Sequence, residues 1–110
     1  MQNKITVQQL QEKILEFNKK RGWLNLPPQD LAKSIIIEAA ELLELYQWDN
    51  LEREGILHST DKKKEEIESE VADVFIYLLN FCRETNINLL SAAEKKLKIN
   101  EKRVPVKQQT

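Results

Sequence analysis

The chain has 110 residues, of which 41% are apolar, a length and a composition typical of one globular domain. Its 17 Lys and Arg residues nearly cancel its 18 Asp and Glu residues, and a net charge of −1 excludes the global basic field that recruits nucleic acid or an anionic membrane. Two glycines, three prolines and 32% charged residues favour long helices over strands and tight turns.

The first predicted helix lies close to the N-terminus. Thr6 and Gln9 have the spacing of a capping box, in which each side chain accepts a hydrogen bond from the backbone N–H of the other residue. We therefore expect the helix to begin after Thr6 and to end near Gly22. Its apolar residues recur at helical spacing: Val7, Leu10, Ile14 and Phe17.

The second predicted helix follows the connector GWLNLPPQD. Pro27 and Pro28 suit the first turn of a helix, where a missing backbone N–H leaves no helical hydrogen bond unmade. The helix is expected to run to about Trp48, where a polar segment containing Gly55 ends the apolar pattern.

Two further helices are predicted in the second half of the chain. The third begins near Asp61 and continues to about Glu84, and a shorter fourth helix begins at about Asn88. From about residue 104 the chain contains Pro105 and ends in polar residues, which predicts a flexible tail unless a partner binds it. The expected fold is an all-α four-helix bundle forming a single domain over residues 1–110.

The third predicted helix also bears on assembly. Between Val71 and Cys82 the plainly polar residues are Asp73 and Asn80 alone, so this segment is apolar nearly all round. A chain with four helices cannot easily cover such a helix on every side. We therefore expect a homo-oligomer, and chain length and composition do not distinguish a dimer from a tetramer.

Cellular location is predicted from the N-terminus and the cysteine content. Residues 1–13 contain no apolar stretch of the kind found in signal peptides, and no apolar run approaches membrane-spanning length. The single cysteine, Cys82, cannot form an intrachain disulfide, which fits a reducing compartment. We expect a cytoplasmic protein without membrane or nucleic-acid partners.

Two acidic pairs stand in apolar surroundings. Glu38 and Glu41 lie about 60° apart on the second helix, and Glu70 and Asp73 repeat this spacing on the third helix, with Tyr77 on the same stripe. If the two faces oppose one another in the bundle, four carboxylates converge, and so many like charges require cations among them. Oxygen ligands favour Mg²⁺ or Mn²⁺.

The competing interpretation is an exposed acidic stripe. In a chain with 18 acidic residues, acid-x-x-acid pairs also arise by chance, so the spacing alone is weak support for a metal site. The setting distinguishes these two pairs, because EAAE follows three isoleucines and EVAD leads directly into VFIYLL. A di-iron bundle is not expected, because its Glu-x-x-His motif is absent.

Four motifs carry a family resemblance. They are, in chain order, FNKKRGW, EAAELLELYQW, EVADVFIYLL and KLKINEKRVP, and together they span most of the chain. With these motifs the chain resembles the MazG-like all-α NTP pyrophosphohydrolases, and within them the dCTP pyrophosphatase branch. The resemblance implies a homo-oligomeric helical bundle that uses Mg²⁺ to hydrolyse a nucleoside triphosphate to the monophosphate and pyrophosphate.

The resemblance also implies the metal ligands. The family's E-x-x-E and E-x-x-D motifs correspond to Glu38, Glu41, Glu70 and Asp73 in this sequence. Cleavage between the α and β phosphates needs a water aligned on the α phosphorus and a carboxylate that orients or deprotonates it. We expect one of the two glutamates of the second helix, Glu38 or Glu41, to be this catalytic base.

Substrate-binding residues are predicted in the same way. Aromatic rings can stack on a nucleobase, and the resemblance places base contacts at Trp48, Tyr77 and Trp23. It places phosphate contacts at Lys96 and Asn100, which share a helix face, and Arg103 lies just beyond them.

One departure from the family pattern concerns the residue before the final proline. The family usually has tyrosine there, and this chain has Val104. Any contact that such a ring makes in relatives is therefore not expected here.

These observations lead to one principal hypothesis and two alternatives. The principal hypothesis is an Mg²⁺-dependent pyrophosphohydrolase, with Mn²⁺ as a possible substitute, that removes dCTP or modified pyrimidine deoxynucleotides in house-cleaning of the nucleotide pool. In the first alternative the same fold acts on dUTP or another NTP. In the second the chain is a non-catalytic helical dimerisation module whose acidic stripes face water.

Overall fold

The computed structural model describes residues 4–46, 61–104 and 106–107, and within these ranges the chain is helical without strands. The four helices are α1 (Val7–Lys19), α2 (Pro28–Glu44), α3 (Asp61–Thr85) and α4 (Leu89–Arg103). The predicted all-α class is confirmed. None of the described helices is long and apolar enough to cross a membrane.

The helix boundaries follow from local hydrogen bonding. The backbone N–H of Gln9 donates to Thr6 Oγ1 at 3.0 Å and that of Thr6 donates to Gln9 Oε1 at 2.9 Å, so α1 opens with the predicted capping box. α2 begins with Pro28 directly after Pro27. It ends at Glu44, short of the predicted end at Trp48.

The turn after α1 holds Trp23 against the end of that helix. The backbone carbonyl of Asn18 accepts hydrogen bonds from the backbone N–H of Arg21 at 3.0 Å and of Trp23 at 2.9 Å. Gly22 adopts a φ of +71°, a conformation that residues with a Cβ rarely adopt, and this permits the tight reversal. The Trp23 ring then lies with its centroid 6.0 Å from that of Phe17.

The packed part of the structure consists of α1, α2 and α3. α2 and α3 form the most extensive contact, and α1 packs on α3. The buried apolar side chains of the described residues form a small core: Ile14, Leu31, Leu79 and Cys82. A hydrogen bond of 3.0 Å between the buried side chains of Asn18 and Asn80 also joins α1 to α3.

The fourth helix is different, because it has no extensive contact with any other described helix and none of its side chains is buried. Large apolar side chains are exposed on α4 and after it, and also on α2 and α3. Contiguous exposed apolar surface is typical of a surface that another chain covers. The exposed residues include Leu90, Leu97, Ile99, Val104 and Val106, and on the other two helices Ile36, Ile37, Leu43 and Val71.

Candidate metal and nucleotide site

The contact between α2 and α3 brings together three of the four predicted metal ligands. Glu38 and Glu41 lie on adjacent turns of α2, and Glu70 lies on the facing side of α3. One carboxylate oxygen from each of the three lies within 4.8 Å of the others. The helical spacing of the α2 pair and the opposition of the two helices therefore combine in one acidic cluster.

The electrostatics of the cluster show how crowded it is. Partial removal from water, followed by repulsion from and hydrogen bonding with Glu41 and Asp73, raises the pKa of Glu38 from 4.5 to about 7. Removal from water is also the largest cause of the raised pKa of Glu70, and the charges of Glu41 and Asp73 add to it. Repulsion among the ionised carboxylates favours their protonated forms. A bound cation would relieve this repulsion.

The donor set of the cluster fits a hard divalent cation. Its ligand atoms are all carboxylate oxygens, which are the ligands that Mg²⁺ and Mn²⁺ prefer. Glu70 Oε2 is enclosed and has no hydrogen-bond partner among the residues described. This oxygen is therefore removed from water and available to bind an ion. Glu38, Glu41 and Glu70 would hold the ion, and Asp73, whose carboxyl group interacts with Glu38, stands beside them.

A cavity of about 660 Å³ adjoins the cluster. Its volume lies in the range of small-molecule binding sites. Asp73 belongs to its wall and also interacts with the carboxyl groups of Glu38 and Glu70, so the cavity and the acidic cluster share this residue. Its lining includes two of the three predicted base-contacting rings, Trp23 and Tyr77.

The remaining predicted substrate-binding residues are not brought to this site. Trp48 lies outside the described residues. Lys96, Asn100 and Arg103 lie on α4, and neither the cavity wall nor the acidic cluster contains them. Asn100 Oδ1 is nevertheless enclosed without a hydrogen-bond partner in the described parts of the chain, so this side chain has an uncommitted acceptor.

The cavity also contains polar residues that the sequence did not predict. Asn18 and Asn80 line it, and Arg83 donates a hydrogen bond of 2.7 Å to Asn80 Oδ1. A signal for Asn80 was present, because an asparagine in the otherwise apolar stretch of α3 needs a buried partner. No local pattern pointed to Asn18, which is separated from Asn80 by 62 residues in the sequence.

Together these features define a helical protein with an oxygen-ligand metal cluster beside a cavity of ligand size. The sequence profile of the MazG-like family matches residues 33–110, and the chain belongs to that family. The family prediction made from the four motifs is confirmed. The matched range contains the whole acidic cluster, α3 and most of α2, whereas α1 and the connector that also line the cavity lie before it.

The chain is also similar to individual named proteins. The chain is 28% identical over 102 residues to dCTP pyrophosphatase 1 of Mus musculus and 28% identical over 101 residues to that of Homo sapiens. These alignments cover 92% and 91% of this chain, and the chain spans about 60% of the length of these curated relatives. A crystal structure of a pyrophosphatase from Archaeoglobus fulgidus is 38% identical with a TM-score of 0.81, covering 96% of this chain and 98% of that one.

Proposed function

We propose that the protein is a nucleoside triphosphate pyrophosphohydrolase that converts dCTP, or a modified pyrimidine deoxynucleotide, to the monophosphate and pyrophosphate. The observation that carries this proposal is the shared wall between the acidic cluster and the cavity, formed by Asp73. A nucleotide has a ring and a polyanion joined by a sugar, and such a ligand needs these two environments side by side. The relatives named pyrophosphatases support the same reaction.

The base would occupy the cavity between aromatic rings. Trp23 is 51% exposed and is held by the turn after α1, so its ring is available for stacking at the cavity mouth. Tyr77 lies on α3, one turn after Asp73. With this order along α3, we expect the triphosphate to lie toward the carboxylates when the base lies against the rings.

The carboxylates would act on the phosphates and on water. Glu38, Glu41 and Glu70 would hold Mg²⁺, which when bound supplies positive charge against the triphosphate and its leaving group. Glu38 or Glu41 takes the proton of a water whose oxygen attacks the α phosphorus. The bond from the α phosphorus to its bridging oxygen breaks, and pyrophosphate leaves with that oxygen.

The phosphate-binding side chains of α4 require a further assembly step in this proposal. Lys96 and Asn100 are one turn apart on a helix without extensive contacts, and exposed apolar residues accompany them. We propose a homo-oligomer in which α4 of one copy docks against the α2–α3 pair of another. Lys96, Asn100 and Arg103 would then bind the β and γ phosphates.

Incubation with a panel of dNTPs, including dCTP, 5-methyl-dCTP and dUTP, tests the activity when it is carried out with Mg²⁺ and with excess EDTA. We expect stoichiometric monophosphate and pyrophosphate, with dCTP or its modified form preferred, and no products in EDTA. Release of inorganic phosphate alone would contradict α–β cleavage. Absence of any product would favour the non-catalytic dimerisation module, and a preference for dUTP would favour the other substrate class.

A further inference from the structure

A chain of buried polar side chains forms part of the cavity wall between α1 and α3. Asn18 Nδ2 donates a hydrogen bond of 3.0 Å to Asn80 Oδ1, and Arg83 Nη1 donates one of 2.7 Å to the same oxygen. Asn18 is only 4% exposed and Asn80 only 6%, and both line the cavity. Burying amides in this way is unfavourable unless their donors and acceptors are used.

Arg83 determines the orientation of both amides. A guanidinium group can only donate, so the Asn80 atom that it contacts must be the oxygen. Because that oxygen also accepts from Asn18, the contacting atom of Asn18 must be its nitrogen. Arg83 is itself held by Glu84, whose Oε2 lies 3.2 Å from Nη2.

The orientation leaves one amide oxygen and one amide nitrogen of the pair without any hydrogen bond. Asn18 Oδ1 and Asn80 Nδ2 have no hydrogen-bond partner among residues 4–46, 61–104 and 106–107. They belong to two side chains joined by a hydrogen bond, so they form a fixed pair and cannot exchange roles without breaking the contact with Arg83. An acceptor and a donor held in fixed positions on two residues that line a largely apolar cavity are the kind of arrangement that gives a ligand site its specificity.

We propose that Asn18 and Asn80 recognise the hydrogen-bonding edge of a cytosine base, as specificity-determining residues that Arg83 positions. This inference rests on the proposed function and deepens it. The 4-amino group of cytosine donates to Asn18 Oδ1, and cytosine N3 accepts from Asn80 Nδ2. Uracil and thymine have an acceptor at position 4 and a donor at N3, so in the same pose they meet like groups.

The substrate side of the contact is tested on the unmodified protein. The probes are dCTP, 5-methyl-dCTP, whose hydrogen-bonding edge is unchanged, and the triphosphate of 2-pyrimidinone deoxyriboside, which lacks the 4-amino group. We expect kcat/KM to fall roughly 10- to 100-fold for the 2-pyrimidinone compound, because Asn18 Oδ1 is left buried without a partner. Equal hydrolysis of the 2-pyrimidinone compound and dCTP would overturn the inference.

The protein side is tested with Asn80→Asp. Aspartate keeps an oxygen for Asn18 and Arg83 and replaces the free donor by an acceptor at nearly the same shape. We expect the ratio of kcat/KM for dCTP to that for dUTP to fall by roughly 10-fold or more. The matched control is Asn86→Asp, the same change at an exposed asparagine that does not line the cavity, so its ratio should equal that of the unmodified protein.

Arg83 is tested as a positioning residue by comparing Arg83→Met with Arg83→Lys. Methionine should lower the dCTP to dUTP ratio through KM with little change in kcat, and lysine, which still donates to Asn80, should restore part of the ratio. A purely structural network would lower turnover of both nucleotides in parallel and leave the ratio unchanged, which would overturn the inference. If the unmodified protein releases no pyrophosphate from any nucleotide, the proposed function fails first and the inference fails with it.

Discussion

The α2–α3 pair and α4 carry opposite charges and have opposite environments. α2 and α3 pack against each other and gather the carboxyl groups of Glu38 and Glu70, whose pKa values are raised by removal from water and by repulsion from neighbouring carboxylates. On α4, basic side chains outnumber acidic ones, no side chain is buried, and Leu97 is 61% exposed. One chain thus brings the carboxylates of the proposed cation site together by itself, whereas the residues predicted to bind phosphate lie on α4, a helix without an extensive contact in the described structure.

The largest expected effect comes from the acidic side of this comparison. Glu41→Gln and Asp73→Asn each remove a charge with little change in shape, and we expect turnover to fall roughly 100-fold or more while folding is kept or improved. Pyrophosphate release at saturating Mg²⁺ and dCTP measures this. The control is Glu65→Gln, an exposed acidic residue of α3. Full activity of both site variants would show that the acidic cluster takes no part in the reaction.

The basic side is tested by mixing two inactive variants. Lys96→Ala should lose most activity if α4 binds the phosphates, and Glu41→Gln should lose it through the metal. In mixed oligomers, one kind of site combines the intact α2–α3 pair of one chain with the intact α4 of the other. We expect activity to recover after denaturation and joint refolding. Recovery would be absent if each α4 served its own chain, and that result would contradict the proposed exchange between copies.

A smaller effect is expected at the mouth of the cavity. Trp23→Leu removes a stacking surface that is not part of the acidic cluster, so KM for dCTP should rise roughly 10-fold with kcat nearly unchanged. Steady-state kinetics measure the two constants separately. Leu24→Ala is the control, because Leu24 is an exposed neighbour on the same connector and does not line the cavity. An equal rise of KM in both variants would argue against stacking.

The smallest effect is on stability, and it reports the raised pKa of Glu38. The pKa of Glu38 is about 7 in the fold against 4.5 when unperturbed, so the folded chain binds more protons between these values. Its contribution to the free energy of unfolding is therefore fully present below pH 4.5 and is lost as the pH rises through about 7.

Melting temperatures of the metal-free protein at about pH 5 and pH 8 measure this contribution when they are compared with those of Glu38→Gln. The unmodified protein should lose more stability than the variant as the pH rises. Addition of Mg²⁺ at the higher pH should restore the stability that the unmodified protein has lost, because the ion binds the ionised carboxylates. Identical pH dependence in the two proteins would show that the pKa of Glu38 is not raised in the fold.

The sequence predicted those features that depend on local spacing. The capping box at Thr6, the proline entry to α2 and the i, i+3 spacing of Glu38 and Glu41 each follow from a few neighbouring residues, and the structure has the cap and the starts of both helices as expected. That α2 and α3 oppose their acidic faces was a condition of the prediction. Their extensive contact and the clustering of Glu70 with the α2 pair now fulfil that condition.

Features that depend on distant contacts were not predictable in the same way. The bond between Asn18 and Asn80 joins residues with no shared period, and the roles of their two amides are fixed only by Arg83. The sequence predicted α4 as a helix beginning at about Asn88, but such a local prediction does not specify which surface the helix packs against. For the same reason the placement of Lys96 and Asn100 relative to the carboxylates remains a prediction.

The small core has a thermodynamic consequence. The buried apolar side chains of the described residues are few, and large apolar groups such as Ile36 and Leu97 remain accessible. In the proposed oligomer, burial of these groups between copies would add to the free energy of folding, and by mass action stability would then depend on protein concentration. In the proposed oligomer, dilution would expose apolar surface and separate the two halves of the site, so the amount of protein in the cell would itself set the fraction that can act on nucleotides.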